Sequence, residues 1–128
     1  MNRDQRAINL AVKVAKTSNH KKAKHGAVLT KGGSIINLAT NSYNYCSFAS
    51  RFKQEEWQTC LEHAEISCIK GLDRSVTKGA TIYVARINKA GKSDLSKPCS
   101  LCQDVLKFVG VKKAVYTVNG GKIESMKI

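Results

Sequence analysis

Two short stretches of the chain hold side chains suited to chemistry: His63-Ala64-Glu65, and, 36 residues beyond His63, Pro98-Cys99-Ser100-Leu101-Cys102. One imidazole and two thiolates are good zinc donors, and three protein ligands leave a fourth position open for water. A fourth side chain, for which Cys60, Cys68 or His25 is available, would instead close the site into a structural one. A Cys-x-x-Cys redox pair is the other reading, but Pro98 precedes the pair and the thioredoxin-like context is missing. Glu65 stands where an apolar residue is expected. At about 100° per residue it falls within roughly 60° of Cys68, Ile69 and Leu72 on the wheel of a helix that runs to Gly71. A carboxylate there either snorkels from an amphipathic helix or handles protons beside a cation. Burial raises its pKa and a nearby cation lowers it, a balance that lets one group take up a proton and return it.

The elements that must position these residues are legible from periodicity. Ile8, Ala11, Val12 and Ala15 fall at i, i+3, i+4 and i+7, with Asn2 as N-cap and Gln5 three residues on, so a capped helix is expected over 3–17. Residues 25–41 hold two β-prone runs split at Lys31-Gly32-Gly33, a turn suited to an antiparallel hairpin. The Glu65 helix follows. A buried strand spans 80–87, and a polar, flexible loop is expected over 88–97. Pro98 fits the first position of a helix on which Leu101, Val105 and Phe108 share a face and which stops at Gly110. Asn119-Gly120 joins the last two strands, which must then run antiparallel. This order of helix, two strands, helix, strand, helix and two strands argues an α/β fold, a mixed sheet with helices on its faces.

The totals agree with one domain over 1–128. The 128 residues are 42% hydrophobic with one proline, enough to bury a core. No apolar run resembles a signal peptide or a membrane span, so the expectation is no membrane partner and a cytoplasmic location. Five cysteines, an odd number with one close pair, favour metal ligation in a reducing compartment over disulfides. Lys plus Arg of 22 against Asp plus Glu of 9 gives +13. That field suits an anionic partner, although a lysine-rich surface also serves solubility alone.

The paired stretches "HAE" and "PCSLC" resemble the signature of the zinc-dependent cytidine and deoxycytidylate deaminase superfamily, H-x-E with P-C-x-x-C. The resemblance implies a three-layer cytidine-deaminase-like fold, with a mixed five-stranded sheet, helices on both faces and an antiparallel C-terminal strand pair. It implies Zn2+ held by His63, Cys99 and Cys102, and Glu65 as the acid and base that shuttles a proton while water displaces ammonia from the ring carbon bearing the amino group. Asn41 matches an asparagine that touches the substrate sugar in many relatives, and the Ala64 N–H matches the donor to the base carbonyl. An asparagine at a strand end is also an ordinary turn former. Relatives are often multimeric, which carries over as a homo-oligomer.

Two substrates compete. The first is a free cytosine-containing nucleoside or its monophosphate; the second is cytosine in single-stranded DNA or RNA, tracked by Lys21, Lys22, Lys24, Arg51, Lys53, Lys89, Lys92 and Lys97 with stacked rings. Residues 41–57 hold Tyr43, Tyr45, Phe48, Phe52 and Trp57, five of eight aromatics, and are expected to form part of the mouth, the alternative being core anchors for a long connection. The terminal hairpin resembles the free-cytidine branch, and His63 the nucleotide and nucleic-acid branches. The free nucleoside or nucleotide is the preferred reading. An inert zinc-stabilised nucleic-acid-binding module is a third, and Glu65 argues against it because a structural site has no use for that carboxylate.

Overall fold

The structure is a computed structural model that describes residues 2–20, 23–42, 47–53 and 63–128. Helix α1, Arg3–Ala15, begins at Asn2, whose Oδ1 accepts the Gln5 N–H at 2.8 Å. The expected capping box is half formed, because the Gln5 side chain donates to Asn9 Oδ1 at 3.0 Å and does not fold back on the cap. Strands β1, Lys24–Lys31, and β2, Ser34–Thr40, form the expected antiparallel hairpin. Gly32 and Gly33 both take positive φ, 59° and 84°, which a tight hairpin turn with the sheet's twist requires.

Helix α2, Ser47–Ser50, is a single turn. Then come α3, Ala64–Ile69, α4, Arg74–Thr77, β3, Thr81–Ile87, and a two-residue strand β4, Ser93–Asp94. Helix α5, Ser100–Phe108, and the strands β5, Lys113–Thr117, and β6, Ile123–Lys127, complete the order. The sheet runs β2-β1-β3-β5-β6, with β4 paired to β3 off that path. Among the described residues β3 and β5 are the one parallel pair; β5 and β6 are antiparallel, as Asn119-Gly120 implied. The sequence reading of five strands therefore holds for the continuous sheet, and β4 is the addition.

Strand alternation divides the core in two. Val28, Tyr83, Ala85 and Val115 face α1, with Ile8 and Ala11. Ala27, Leu29, Ile82, Val84 and Ala114 face the other way, onto Ile66 and Ile69 of α3 and Leu101, Val105 and Leu106 of α5. Runs that are apolar on both faces are what a sheet covered on both sides requires, and the result is three layers. Gly26 in β1 allows α1 to lie close: a Cβ there would collide with the Ala11 carbonyl oxygen and the Ala15 amide nitrogen. Tyr83 Oη donates to Asp4 Oδ1 at 2.7 Å and pins the start of α1 to the sheet. Among the described residues, no helix is long and apolar enough to cross a membrane.

Two local expectations, on Pro98 and on residues 88–97, need correction, and one, on Phe108, needs detail. Pro98 is not the first residue of α5; the helix opens one residue after Cys99, which is its N-cap. Phe108 does share α5 with Leu101 and Val105, but it is 48% exposed. The segment 88–97 is not a free loop, because β4 pairs with the end of β3 and the Ser96 side chain is buried between strands. Ser96 Oγ donates to the Val84 carbonyl at 2.8 Å and accepts the Thr117 N–H at 2.8 Å, while Thr117 Oγ1 donates to the Asp94 carbonyl at 2.6 Å. A buried knot of this kind ties the approach to Pro98 onto both parallel strands.

Candidate metal and substrate site

The two stretches that open the argument meet at the first turns of α3 and α5. His63 is the N-cap of α3 in an extended conformation, makes no capping bond to the helix, and lines the cavity. Cys99 caps α5, and the Cys102 N–H donates to its sulfur at 3.5 Å. Gln103 Nε2 donates to the Pro98 carbonyl at 2.7 Å and fixes the turn before the helix. His63 Nδ1 lies 3.1 Å from Cys102 Sγ and 3.8 Å from Cys99 Sγ, and the three ligand atoms all fall within 4.8 Å of one another. A nitrogen and a sulfur on one tetrahedral zinc sit roughly 3.5 Å apart, so the observed spacings bracket what the ion needs. The donor set fits zinc.

Among the described residues, no fourth ligand completes a closed site. Cys68 is buried with its thiol toward the Asn37 carbonyl, 3.5 Å away. His25 borders the same cavity without joining the cluster, and Cys60 lies outside the described residues.

Without a metal, the two thiols divide one proton. Contact with Cys102 and with the His63 ring brings Cys99 down to about 4 against the opposing effect of burial, and the same contact with Cys99, together with burial, holds Cys102 well above the ordinary thiol range. The start of α5 adds to the ionisation of Cys99, since helix N-termini favour thiolates. His63 is raised, first by its contact with Cys99.

Glu65 is 4% exposed on the first turn of α3, and burial raises its pKa against the opposing charge of His63. Its interaction with Cys102 works weakly against that rise, and it lines the cavity beside His63 and Cys99 and does not lie out in solvent. It does not snorkel. Cys68 and Ile69 are buried on the same helix, which ends before Leu72 as Gly71 turns through φ 80°.

The cluster opens into a cavity of about 380 Å³, lined by His20, His25, Asn41, His63, Glu65, Arg86, Ser96, Lys97 and Cys99 among others, large enough for a small-molecule ligand. Ala64 opens α3, so its N–H is one of the donors a helix start leaves unpaired. Asn41, just past β2, borders the cavity, but its amide is heavily used. Oδ1 accepts from Ser18 Oγ at 2.7 Å and from the His25 N–H at 3.0 Å, and Nδ2 donates to the Ala23 carbonyl at 2.9 Å. The turn-forming role is thus present, and among the described residues one Nδ2 hydrogen is left over for a ligand.

Phe48 and Phe52 do not border this cavity. They pack on Phe108, with Phe52 and Phe108 centroids 5.3 Å apart and the Arg74 guanidinium 4.1 Å from the Phe108 centroid. For these two rings the core-anchor reading is correct; Tyr43, Tyr45 and Trp57 lie outside the described residues. Of the basic side chains proposed to track a strand, Lys97 alone borders the cavity among the described residues, and Lys21 and Lys22 lie outside them.

Sequence reasoning missed Arg86 and took His25 only as a possible ligand. The available signal was a charged residue inside the apolar run "TIYVARI". Burial first, and then the Arg86 charge, lower the His25 pKa to about 4. Its folded value lies below the unfolded one, so as pH falls from about 6.5 the unfolded chain takes up the proton first and stability is lost down to about pH 4. Between pH 7 and pH 5 this loss should be about 2 kcal/mol. Urea unfolding of His25→Gln at the two pH values should show a correspondingly shallower acid loss than wild type; equal slopes would contradict the assignment.

A mixed sheet between helical layers, with a His/Cys/Cys donor set on two helix starts and a carboxylate beside it, defines a class of zinc-binding α/β proteins. The chain belongs to the cytidine and deoxycytidylate deaminase zinc-binding family, whose model matches residues 1–118. The dCMP deaminase of cyanophage S-TIM5 in apo form is 22% identical over 92% of this chain and 85% of its own, with a TM-score of 0.62. The same enzyme in complex with dCMP and dUMP is 24% identical over 85% and 76%, with a TM-score of 0.58. Acinetobacter baumannii RibD, form 1, is 20% identical with a TM-score of 0.58, and there the match covers 91% of this chain and only 28% of that one. No curated protein sequence matches the chain.

Proposed function

We propose that residues 1–128 act as one zinc-dependent deaminase domain that hydrolyses cytosine to uracil in a free nucleoside or its monophosphate. The observation that carries the reading is the buried Glu65 carboxyl set against the His63, Cys99 and Cys102 cluster at the head of a cavity. His63, Cys99 and Cys102 hold the ion, which when bound supplies the Lewis acidity that makes water a nucleophile near neutral pH. Glu65 removes a proton from the attacking water and delivers it to the ring nitrogen next to the reacting carbon. The same carboxyl then carries the second water proton to the departing amino group. The products are the ring carbonyl and ammonia, so atoms and protons balance. The Ala64 N–H donates to the base carbonyl, and the remaining Nδ2 hydrogen of Asn41 donates to the sugar. Burial of Glu65 favours this cycle, because a carboxylate whose pKa is raised takes a proton from water more readily than it would in solvent, and the neutral acid so formed can then pass it on.

Family membership supports the reaction, and the cavity's size supports a small substrate over a strand. The test is incubation of the zinc-loaded protein with cytidine, deoxycytidine, their monophosphates, a cytosine-containing single strand, and adenine and guanine nucleotides, with products resolved by chromatography. Uracil product from the small cytosine compounds is expected. Product from the oligonucleotide alone, or from a purine alone, would overturn the substrate assignment.

A further inference from the structure

Arg86 stands at the end of β3 on the wall of the cavity. Its backbone is fixed, since its N–H donates to Thr117 Oγ1 at 3.3 Å beside the Ser96 knot. Its side chain is less well provided for. Nε is buried and has no hydrogen-bond partner among the described residues. No acidic side chain among those residues forms an ion pair with it, and its cross-strand neighbour Asp94 uses Oδ1 to accept the Leu95 N–H at 2.9 Å. A buried donor left unmatched is costly, the more so on a charged group. The guanidinium thus borders the cavity without a described acidic partner, and an acceptor on a bound ligand would supply one.

The charge balance says what kind of acceptor. A divalent zinc with two thiolates and a neutral imidazole has no net charge. Of the described lining residues Glu65 is the one carboxylate, and Arg86 and Lys97 both stand against it. His25 adds nothing at neutral pH. The loaded cavity therefore holds excess positive charge, while a cytosine ring and its sugar are neutral. We propose that Arg86 and Lys97 form a phosphate subsite, so that the cavity takes a nucleoside monophosphate in preference to the nucleoside.

This inference rests on the deaminase reading, and equilibrium binding of the reaction products tests it without turnover. Zinc-loaded protein should bind deoxyuridine monophosphate at least about tenfold more tightly than deoxyuridine, with the preference shrinking as salt is raised. Arg86→Gln should weaken the monophosphate by about 10- to 100-fold and bring the two affinities together, the size of a lost charged hydrogen bond. Lys97→Ala, an exposed change, should move the ratio in the same direction by less, and it carries the test alone if circular dichroism shows Arg86→Gln unfolded. Equal weakening of nucleoside and nucleotide would place Arg86 on the base and overturn the subsite. So would an unchanged ratio in Lys97→Ala, or tighter binding of a cytosine oligonucleotide than of the monophosphate. An Arg86-dependent monophosphate preference without deamination of any panel compound would leave the subsite standing and remove the deaminase reading.

Discussion

Glu65→Gln is expected to lower deamination by about 10²- to 10⁴-fold, the range for removing a positioned acid and base, while zinc content stays at that of wild type. The amide keeps the shape of the side chain and its contacts in the first turn of α3, but it cannot accept a proton from water or pass one to the ring. Stability should move the other way. Burial raises the Glu65 pKa in the metal-free protein, so at neutral pH the folded state bears the cost of a carboxylate that the unfolded chain solvates freely. A neutral isostere relieves it. The metal-free variant should therefore unfold at a urea concentration equal to or above that of wild type. Three measurements on one preparation check this: uracil product by chromatography, zinc per chain by elemental analysis, and urea unfolding after chelation. Activity within tenfold of wild type would remove Glu65 from the chemistry. Loss of zinc with loss of activity would make it a ligand or a support for one.

How far the sequence could be read follows the range of the interactions involved. Periodicity gave α1, both hairpins and β3, because each depends on neighbours a few residues apart, and Gly32-Gly33 and Asn119-Gly120 are demands of local backbone geometry. The candidate metal ligands were legible because one imidazole and two thiols in a fixed pattern carry a chemical meaning that survives without coordinates. Glu65 stood out by violating its helix's apolar face.

What escaped were contacts between segments far apart in the chain. Ser96 and Thr117 are ordinary polar residues in sequence, and nothing local says that they will bond to each other across the ends of β3 and β5. The same knot turned an expected flexible loop into a wall of the cavity. Arg86 was hidden inside a run that otherwise reads as a buried strand, where strand alternation fixes the face it occupies but not which cavity lies there. The rings of residues 41–57 read as part of a mouth because composition records aromatic content and not its direction, and two of them, Phe48 and Phe52, turn toward Phe108 instead. Pro98 was shifted because it and Cys99 both suit a helix start, and the cysteine took the cap.

Cys99→Ala should abolish stoichiometric zinc binding and reduce activity to background. It is the more informative ligand to remove because its side chain is exposed whereas Cys102 is buried. Truncating Cys102 would mix metal loss with a packing defect. Truncating Cys99 removes the N-cap contact of α5, about 1 kcal/mol, together with its contacts to Cys102 and His63 in the metal-free protein, but leaves no cavity in the core. Zinc then separates the variants, because an ion that binds only the folded state stabilises by RT ln(1 + [Zn]/Kd), about 4 kcal/mol at a thousandfold excess over Kd. Wild type should gain that increment and Cys99→Ala should not. Acid should erase it in wild type as well. The ligands must be unprotonated to bind, Cys102 holds its proton well above the usual thiol range, and the His63 pKa is raised. Zinc uptake therefore releases protons, and affinity falls as pH falls. Thermal melts of both proteins with and without zinc at pH 7.5 and pH 5.5 carry the whole argument. A zinc-dependent rise in Cys99→Ala equal to that of wild type would mean that the ion sits elsewhere, and the cavity beside Glu65 would lose its chemistry.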